Sequence, residues 1–321
     1  MAKSIQKNGD SQNILAKAPW TDEQGIGMKI YEGVVLTLEV IILIIKMYAT
    51  WFYRIYKFFV PNEPKSLKGE IVLITGAGHG MGREMALSFA KLGSIVVCVD
   101  INPTGNEETV NMVRENKGQA HRYLCDVTNR SAINEMADRI RKEVGEVSIL
   151  VNNAGIMPCK PLLKQTEKEI RATFEVNCLA HIWRCPSMAG VLGLRNLVPY
   201  CGTKFAVRGM MEAVYEELRE DPRDFSGSYI SDLAFQIKLT CICPYIVDTG
   251  LCKNPKIKFP TLMKIISPQE AVANIIDAVR RDYHEITIPS SLYYTNQFLR
   301  MFPREVPLHF KDFLDSGLEA D

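Results

Sequence analysis

The stretch "EIVLITGAGHGMGRE", residues 70–84, decides the fold. Its first half has the length and apolar composition of a buried strand, and it leads directly into a glycine-rich turn. Gly76, Gly80 and Gly82 give the spacing Gly-x-x-x-Gly-x-Gly. A turn without side chains, followed by the N-terminus of a helix, lets backbone N–H groups approach a pyrophosphate. The stretch therefore predicts a strand–turn–helix unit that binds a dinucleotide.

Strand-like runs and helical patterns alternate after this turn, which is typical of βαβ units and a parallel sheet. Apolar residues between the third and fourth runs recur at helical spacing, at Ile133, Met136, Ile140 and Val144. The predicted second, third and fourth strands are "SIVVCVD" at 94–100, "HRYLCDV" at 121–127 and "VSILVNNAG" at 147–155. We therefore expect a Rossmann-type, doubly wound α/β domain over residues 69–321.

Asp100 ends the second predicted strand. An acidic side chain at this place accepts hydrogen bonds from both adenosine ribose hydroxyls and repels a 2′-phosphate. It favours NAD over NADP. The structural alternative, a solvated aspartate at a strand end, fits the whole pattern less well.

The N-terminal quarter predicts a polar extension over 1–33, a membrane anchor over 34–60 and a linker over 61–68. The apolar run is long enough for one membrane-spanning helix. Glu39 and Lys46 interrupt it but share one helical face, so a helix lying flat in the interface remains possible. Aromatic and basic residues at the end of the run resemble an interfacial belt and a cytosolic flank: Trp51, Phe52, Tyr53, Arg54, Tyr56 and Lys57. The alternative is an ordinary helix buried against the enzyme domain.

Composition excludes several classes of function. A formal net charge of +1 gives no bulk attraction to nucleic acid. The nine cysteines and five histidines lack the spacing of zinc ligands, so we expect no metal site and buried thiols in a reducing compartment.

A Tyr-x-x-x-Lys pair, Tyr200 and Lys204, follows Ser187 and Asn177. The spacing alone is not specific, because Tyr53 and Lys57 repeat it inside the predicted membrane segment. The first pair stands out because its neighbours occur in a fixed order. These are "TGAGHGMG" at 75–82, Asp126 in "CDV", "NNAG" at 152–155, "FEVN" at 174–177 and "PYIVDTG" at 244–250.

This order of motifs resembles the short-chain dehydrogenase/reductase family over residues 69–290, and more narrowly its membrane-associated branch of retinol and 17-beta-hydroxysteroid dehydrogenases. The resemblance implies that Tyr200 exchanges a proton with the substrate hydroxyl. Lys204, one helical turn away, favours the phenolate and holds the nicotinamide ribose. Ser187 orients the substrate oxygen, and Asn177 holds a water that links Lys204 to solvent. Structural alternatives stay open: Ser187 as a turn residue and Asn177 as a helix-kink residue.

The resemblance also implies a cofactor surface, a lipophilic substrate of retinol or hydroxysteroid type, and a membrane or lipid-droplet location with the catalytic domain in the cytosol. The membrane would be that of the endoplasmic reticulum, and a homodimer would pair through the helix that begins at Tyr200. The cofactor residues are Gly76, His79, Gly80, Met81, Gly82, Asp100, Asp126, Val127, Asn153, Ala154, Gly155, Tyr200, Lys204, Pro244, Val247 and Thr249.

The chain departs from the family between Asn177 and Ser187, where only ten positions replace a path of roughly 25 to 30 residues through a long helix and a strand. We therefore expect an interior fifth strand to be missing. A long segment around 227–238 looks like a matching insertion, which indicates a splice variant or a faulty gene model.

Three functional hypotheses follow. The first is an NAD-dependent dehydrogenase of lipophilic alcohols. The second is a catalytically impaired variant that acts as a membrane or lipid-droplet binding protein. The third is an NADPH-dependent reductase of 3-keto lipids, which Asp100 argues against.

Overall fold

A computed structural model describes residues 26–180, 196–219, 238–251, 255–260, 264–303, 305–315 and 317–318. The chain forms two compact units, Met1–Pro61 and Asn62–Asp321. The boundary between them falls inside the predicted linker.

The first unit contains helix α1, Ile26–Phe59, which begins well before the anchor expected from residue 34. Within its segment Met28–Phe59, an 18-residue window has a mean hydropathy of 2.0 and no buried share, so the length and composition of the helix suit a membrane crossing. The hydroxyls of Thr37 and Thr50 donate to the carbonyls of Gly33 and Lys46 one turn earlier. Both polar side chains are thus satisfied within the helix, as an apolar environment requires.

The second unit is built around a four-stranded parallel sheet with strand order β3-β2-β1-β4. Val72 of β1 lies opposite Val96 of β2 and Ile149 of β4, so the two central strands are paired on both sides. The strands are β1 (Ile71–Thr75), β2 (Ile95–Asp100), β3 (Gln119–Leu124) and β4 (Ile149–Val151). The connecting helices are α2 (Gly80–Lys91), α3 (Pro103–Glu115) and α4 (Arg130–Glu143). The parallel sheet with helices between its strands confirms the predicted Rossmann-type α/β class.

The expected position of the third strand is wrong by two residues at its start. β3 begins at Gln119 and ends at Leu124, so Asp126 and Val127 lie beyond the strand rather than in it. A strand that ends earlier places these two residues in the loop at the carboxyl edge of the sheet, where ligands bind in such folds.

A second parallel pair joins β5 (Cys241–Pro244) to β7 (Glu285–Ile288). Among the described residues, no strand pairs with both β4 and β5. The expected loss of an interior strand stays a prediction, because residues 181–195 and 220–237 lie outside the description. The two sheets nevertheless share one apolar cluster, because Ile288 of β7 packs with Val72, Phe89 and Ile276. Helix α7 (Pro268–Arg280) supplies Ile276 and lies against α2.

The remaining elements surround the second pair of strands. Three short elements lie between β4 and residue 181: a 3-10 turn (Leu162–Lys164), helix α5 (Glu167–Phe174) and a π-helical turn (Glu175–Leu179). After it come α6 (Val198–Arg219), β6 (Pro255–Lys256), α8 (Ser291–Leu299), α9 (Glu305–Leu314) and β8 (Gly317–Leu318), with β6 and β8 antiparallel.

The predicted linker is partly built into the second unit. Leu67 is buried, the Lys65 backbone N–H donates to the carbonyl of Arg280, and the Lys65 ammonium pairs with Asp282. These contacts fasten residues 65–67 to α7 and the turn after it.

Candidate active site

One large cavity of about 960 Å³ opens at the carboxyl ends of β1, β2, β4 and β5. Ligands of open α/β sheets bind at this edge. Every predicted cofactor residue except Gly82 lines the cavity. The lining members of that set are Gly76, His79, Gly80, Met81, Asp100, Asp126, Val127, Asn153, Ala154, Gly155, Tyr200, Lys204, Pro244, Val247 and Thr249.

The glycine turn needs its glycines for two different reasons. Gly76 and Gly80 have positive φ angles of 66° and 55°, which side chains disfavour. Gly82 lies inside helix α2, where a Cβ would stand 2.0 Å from the carbonyl oxygen of Gly76. Gly82 therefore shapes the cavity without lining it, by letting α2 pack directly on the turn.

Asp100 is bound to the same turn. One of its carboxylate oxygens accepts the backbone N–H of Gly78 and the other that of Asn102, each at 2.8 Å. A Cβ on Gly78 would lie 2.9 Å from the carboxylate. Gly78 is therefore needed for this close contact, although the Gly-x-x-x-Gly-x-Gly spacing did not include it. The available signal in the sequence was its position inside the glycine-rich turn, directly before His79.

The ends of β1 and β4 are joined by Asn153. Its side-chain amide donates to the carbonyls of Thr75 and Gly76, while the Thr75 hydroxyl accepts the backbone N–H groups of Asn153 and Ala154. Asn153 therefore fixes the glycine turn against β4. At the neighbouring strand end, Asp126 accepts both the backbone N–H and the hydroxyl of Thr128, which orders the loop that lines the cavity.

Tyr200 and Lys204 both lie in the first turns of α6 and face the cavity. The Lys204 ammonium nitrogen is 5.3 Å from the centroid of the Tyr200 ring. Burial lowers the pKa of Lys204 to about 8, against a smaller opposing effect of nearby thiols, that of Cys243 first. The second Tyr-x-x-x-Lys pair in α1 has a similar ammonium-to-ring distance, 5.8 Å from Lys57 to Tyr53, so this geometry alone does not define a site.

Asn177 is fully buried in the π-helical turn and does not line the cavity. Its amide oxygen accepts the backbone N–H of Ile156 at 2.8 Å, and its amide nitrogen donates to the carbonyl of Ile156 at 2.7 Å. The side chain thus ties the widened turn to the loop after β4. The predicted role as a helix-kink residue fits this geometry, and the predicted water-holding role stays a prediction.

An ion pair that the sequence analysis did not identify joins helix α6 to the second pair of strands. Arg208, one turn beyond Lys204, pairs with Glu285 of β7 at 3.0 Å from Nε and 3.1 Å from Nη2. Both side chains are largely buried. Arg208 lies on the face of α6 that carries Tyr200 and Lys204, and this regular spacing of four was the available signal.

The thiols of Cys241 and Cys243 and the Glu285 carboxylate lie within 4.8 Å of one another. A hydrogen bond with Cys243 and burial raise the pKa of the Cys241 thiol. Since a metal would need this thiol deprotonated and would compete with Arg208 for the carboxylate, the cluster is poorly suited to a cation.

Ser187 and the apparent insertion at 227–238, apart from its last residue, lie outside the described residues. The cavity therefore brings together Tyr200, Lys204 and the cofactor residues, while the placement of Ser187 stays a prediction.

The end of the cavity formed by α8 and α9 is mostly apolar, with five apolar and three polar lining residues. Helices α8 and α9 supply this wall. The lining residues of this end are Leu292, Thr295, Asn296, Leu299, Arg300, Pro307, Phe310 and Leu314.

Comparison with known proteins agrees with this geometry. The family model for short chain dehydrogenases matches residues 70–186. Human 17-beta-hydroxysteroid dehydrogenase 13 is 38% identical over 284 residues, covering 83% of this chain and 89% of the relative. Human epidermal retinol dehydrogenase 2 is 37% identical over 275 residues, covering 79% and 85%. A short-chain type dehydrogenase/reductase from Mycobacterium marinum shares the fold, with a TM-score of 0.56, 20% identity and coverage of 69% and 94%.

Proposed function

The chain belongs to the short-chain dehydrogenase/reductase family of oxidoreductases, and we propose that it is membrane-associated, uses NAD, and interconverts a lipophilic alcohol and its carbonyl. The observation that carries the proposal is the shared cavity, in which Tyr200 and Lys204 face the glycine turn and Asp100.

The cofactor preference rests on charge at the ribose end. Asp100 brings a carboxylate to the cavity wall, and its two backbone hydrogen bonds leave lone pairs for ribose hydroxyls. The neighbouring cation, Arg83, is paired with Glu108 at 2.8 Å and donates to the carbonyl of Gly78. A 2′-phosphate would therefore be repelled by the Asp100 carboxylate, and the Arg83 guanidinium is already paired and would not offset this repulsion. This favours NAD.

The chemistry divides between cofactor and protein. When bound, the nicotinamide supplies or accepts the hydride. Tyr200 moves the proton at the substrate oxygen, as general base in oxidation and general acid in reduction. The ammonium of Lys204 lies close enough to the Tyr200 ring to stabilise the phenolate and to bind a ribose hydroxyl.

The substrate class rests on the mostly apolar end of the cavity, where leucine and phenylalanine side chains of α8 and α9 form much of the wall beside Thr295, Asn296 and Arg300. Such a surface fits a largely hydrophobic body with a polar group that reaches Tyr200. The names of the relatives, a retinol dehydrogenase and a hydroxysteroid dehydrogenase, point to the same class.

The location rests on α1 and the thiols. The apolar helix suits insertion into the endoplasmic reticulum membrane or a lipid-droplet surface. The described cysteines of the α/β unit are free and mostly buried, which is usual for a cytosolic domain. Protease treatment of intact microsomes should digest the α/β unit; protection of that unit would contradict a cytosolic location.

A homodimer through α6 is part of the proposal. Val198 and Phe205 of α6 and Leu179 beside it are exposed apolar side chains. Light scattering on the detergent-solubilised chain should give a dimer, and Phe205→Glu should give a monomer. Leu163→Glu, at an exposed leucine of the 3-10 turn, is the control and should leave the dimer intact.

The decisive test uses the full chain, with NADH and NADPH for the binding measurement and with NAD⁺ and a panel of lipid alcohols for turnover. NADH should bind more tightly than NADPH, and Tyr200→Phe should lower turnover by about 10²- to 10⁴-fold with NADH binding retained. Tyr53→Phe, in the other Tyr-x-x-x-Lys pair, is the matched control and should keep full turnover.

A second candidate function is a catalytically impaired binding protein. The observation that favours it is the short path of ten positions from Asn177 to Ser187, which predicts that α6 is positioned without an interior strand beside it. NADH binding without turnover on any alcohol, in both the unmodified chain and Tyr200→Phe, would support it over the first.

A further inference from the structure

Helix α8 presents an unusual outer face. Phe298 is 60% exposed and Met301, just past the helix, is 81% exposed. With Tyr294 and Phe302 they recur at helical spacing and form one stripe, in which the rings of Phe298 and Phe302 meet at 5.0 Å. Contiguous exposed apolar side chains of this size mark a contact surface.

The same helix forms part of the cavity wall on another side. Leu292, Asn296 and Leu299 line the apolar end of the cavity, and Phe310 of α9 joins them. Helix α8 thus lies between the apolar end of the cavity and the exposed aromatic stripe.

Basic and aromatic residues lie beside this layer. The rings of Phe259 and Phe313 stack at 5.2 Å, and the Lys258 ammonium lies over both rings at 5.3 Å and 5.8 Å. Residues 250–266 contain four lysines and no acidic residue. Two of these lysines are paired with acidic side chains from elsewhere, yet both remain more than half exposed. Aromatic rings with lysines at their edge are typical of surfaces that enter the headgroup region of a bilayer.

We propose that the outer face of α8 and the turn after it, residues 294–302, binds a phospholipid surface, so that lipophilic substrate enters the cavity from lipid. The proposal rests on the membrane association inferred for α1. A tethered α/β unit meets the lipid at a high effective concentration, so even a modest apolar and electrostatic attraction suffices. Acidic headgroups fit the lysines of 250–266, and the aromatic stripe supplies the apolar contact.

The test places one tryptophan on this face in the full chain. Trp20, Trp51 and Trp183, the three native tryptophans, are replaced by phenylalanine. Phe298→Trp then reports on α8, and Leu163→Trp, at a leucine that is 99% exposed on the 3-10 turn, is the matched control. Vesicles contain phosphatidylcholine with a minority of phosphatidylserine, with or without bromine on the phosphatidylcholine acyl chains.

Brominated vesicles should quench Phe298→Trp emission by about twofold, because a residue held in the interface lies within several ångströms of the acyl chains. Leu163→Trp should change little. Equal quenching of the two variants would overturn the proposal. Weak quenching of both is also the result expected if a second copy of the chain, rather than lipid, covers the stripe. Met301→Trp gives an independent readout if Phe298→Trp does not fold.

Vesicle flotation separates this proposal from the membrane association on which it rests. A chain that floats with vesicles while Phe298→Trp stays unquenched retains its tether and refutes only the α8 contact. A chain that does not float refutes both.

Discussion

The ion pair between Arg208 and Glu285 should hold α6, the helix that carries Tyr200 and Lys204, in place, and Glu285→Gln tests this directly. The pair joins α6 to β7 through two short contacts, 3.0 Å and 3.1 Å, between side chains that are 15% and 19% exposed. Gln keeps the shape of the side chain and removes the charge, so Arg208 is left buried and only weakly paired.

The expected cost follows from this burial. Removing one partner of a fully buried pair costs about 3–5 kcal/mol, while exposed pairs contribute about 0–1 kcal/mol. With both groups mostly but not fully buried, we expect Glu285→Gln to lower the free energy of unfolding by about 2–3 kcal/mol. For a domain of this size that corresponds to a fall in melting temperature of about 5–10 °C.

A thiol-reactive dye provides the assay in detergent, because Cys98, Cys241 and Cys243 are buried and become reactive only on unfolding. The control is Glu167→Gln, which removes an exposed carboxylate from its pair with Arg171 on α5. It should shift the melting temperature by less than about 2 °C.

The outcome that would refute the reasoning is a Glu285→Gln shift no larger than that of Glu167→Gln. An apolar replacement of the pair, Arg208→Met with Glu285→Leu, should cost less than Glu285→Gln alone, because it leaves no uncompensated charge.

Three further predictions concern the cofactor end. Gly82→Ala should abolish saturable NADH binding measured by nucleotide fluorescence, because its methyl group would stand 2.0 Å from the Gly76 carbonyl oxygen; Gly209→Ala, with no neighbour within 4 Å, should bind normally. Asp100→Ser should weaken NADH binding by about 10-fold or more and remove the preference over NADPH, and an unchanged preference would contradict the role of the carboxylate. Because burial lowers the pKa of Lys204 to about 8, its charge is lost as pH rises through 8, so NADH affinity should fall above that pH while Lys204→Arg holds it constant. Since the unfolded chain keeps this proton up to about pH 10.4, folding stability should rise over the same interval, and a fall in stability there would contradict the shift.

The cofactor half of the fold was predictable because its signals are local. The run before Gly76 is apolar and short, the glycines follow at once, and Asp100 ends the next apolar run. The third strand was placed late because "HRYLCDV" continues apolar beyond Leu124, where the chain has already left the sheet. The apolar side chains there, Cys125 and Val127, are buried and half-buried because they line the cavity and not because they belong to the strand.

The contacts that the sequence did not reveal join distant parts of the chain. Arg208 and Glu285 are 77 positions apart, and no periodic pattern links a helix to a strand over that distance. The bond from Gly78 to Asp100 spans 22 positions and depends on how β1 and β2 pair. Such pairs depend on how the strands are ordered in the sheet. Local sequence patterns indicate the fold class but do not determine this strand order.

The proposed cofactor residues and the proposed catalytic residues belong to different elements, so the proposal predicts that cofactor binding and catalysis are separable. The glycine turn, Asp100, Asp126 and Asn153 all lie at strand ends of the four-stranded sheet, which is complete in its own pairing and packed on both faces. Tyr200 and Lys204 instead belong to α6, whose position depends on the Arg208–Glu285 pair and on packing against β5. The predicted loss of an interior strand between β4 and β5 would therefore act first on the distance from the phenol to the nicotinamide, to which rates are far more sensitive than affinities. NADH binding should accordingly survive changes at α6 that abolish turnover, and a variant at Glu285 that lost both together would show that the two sheets act as one rigid frame.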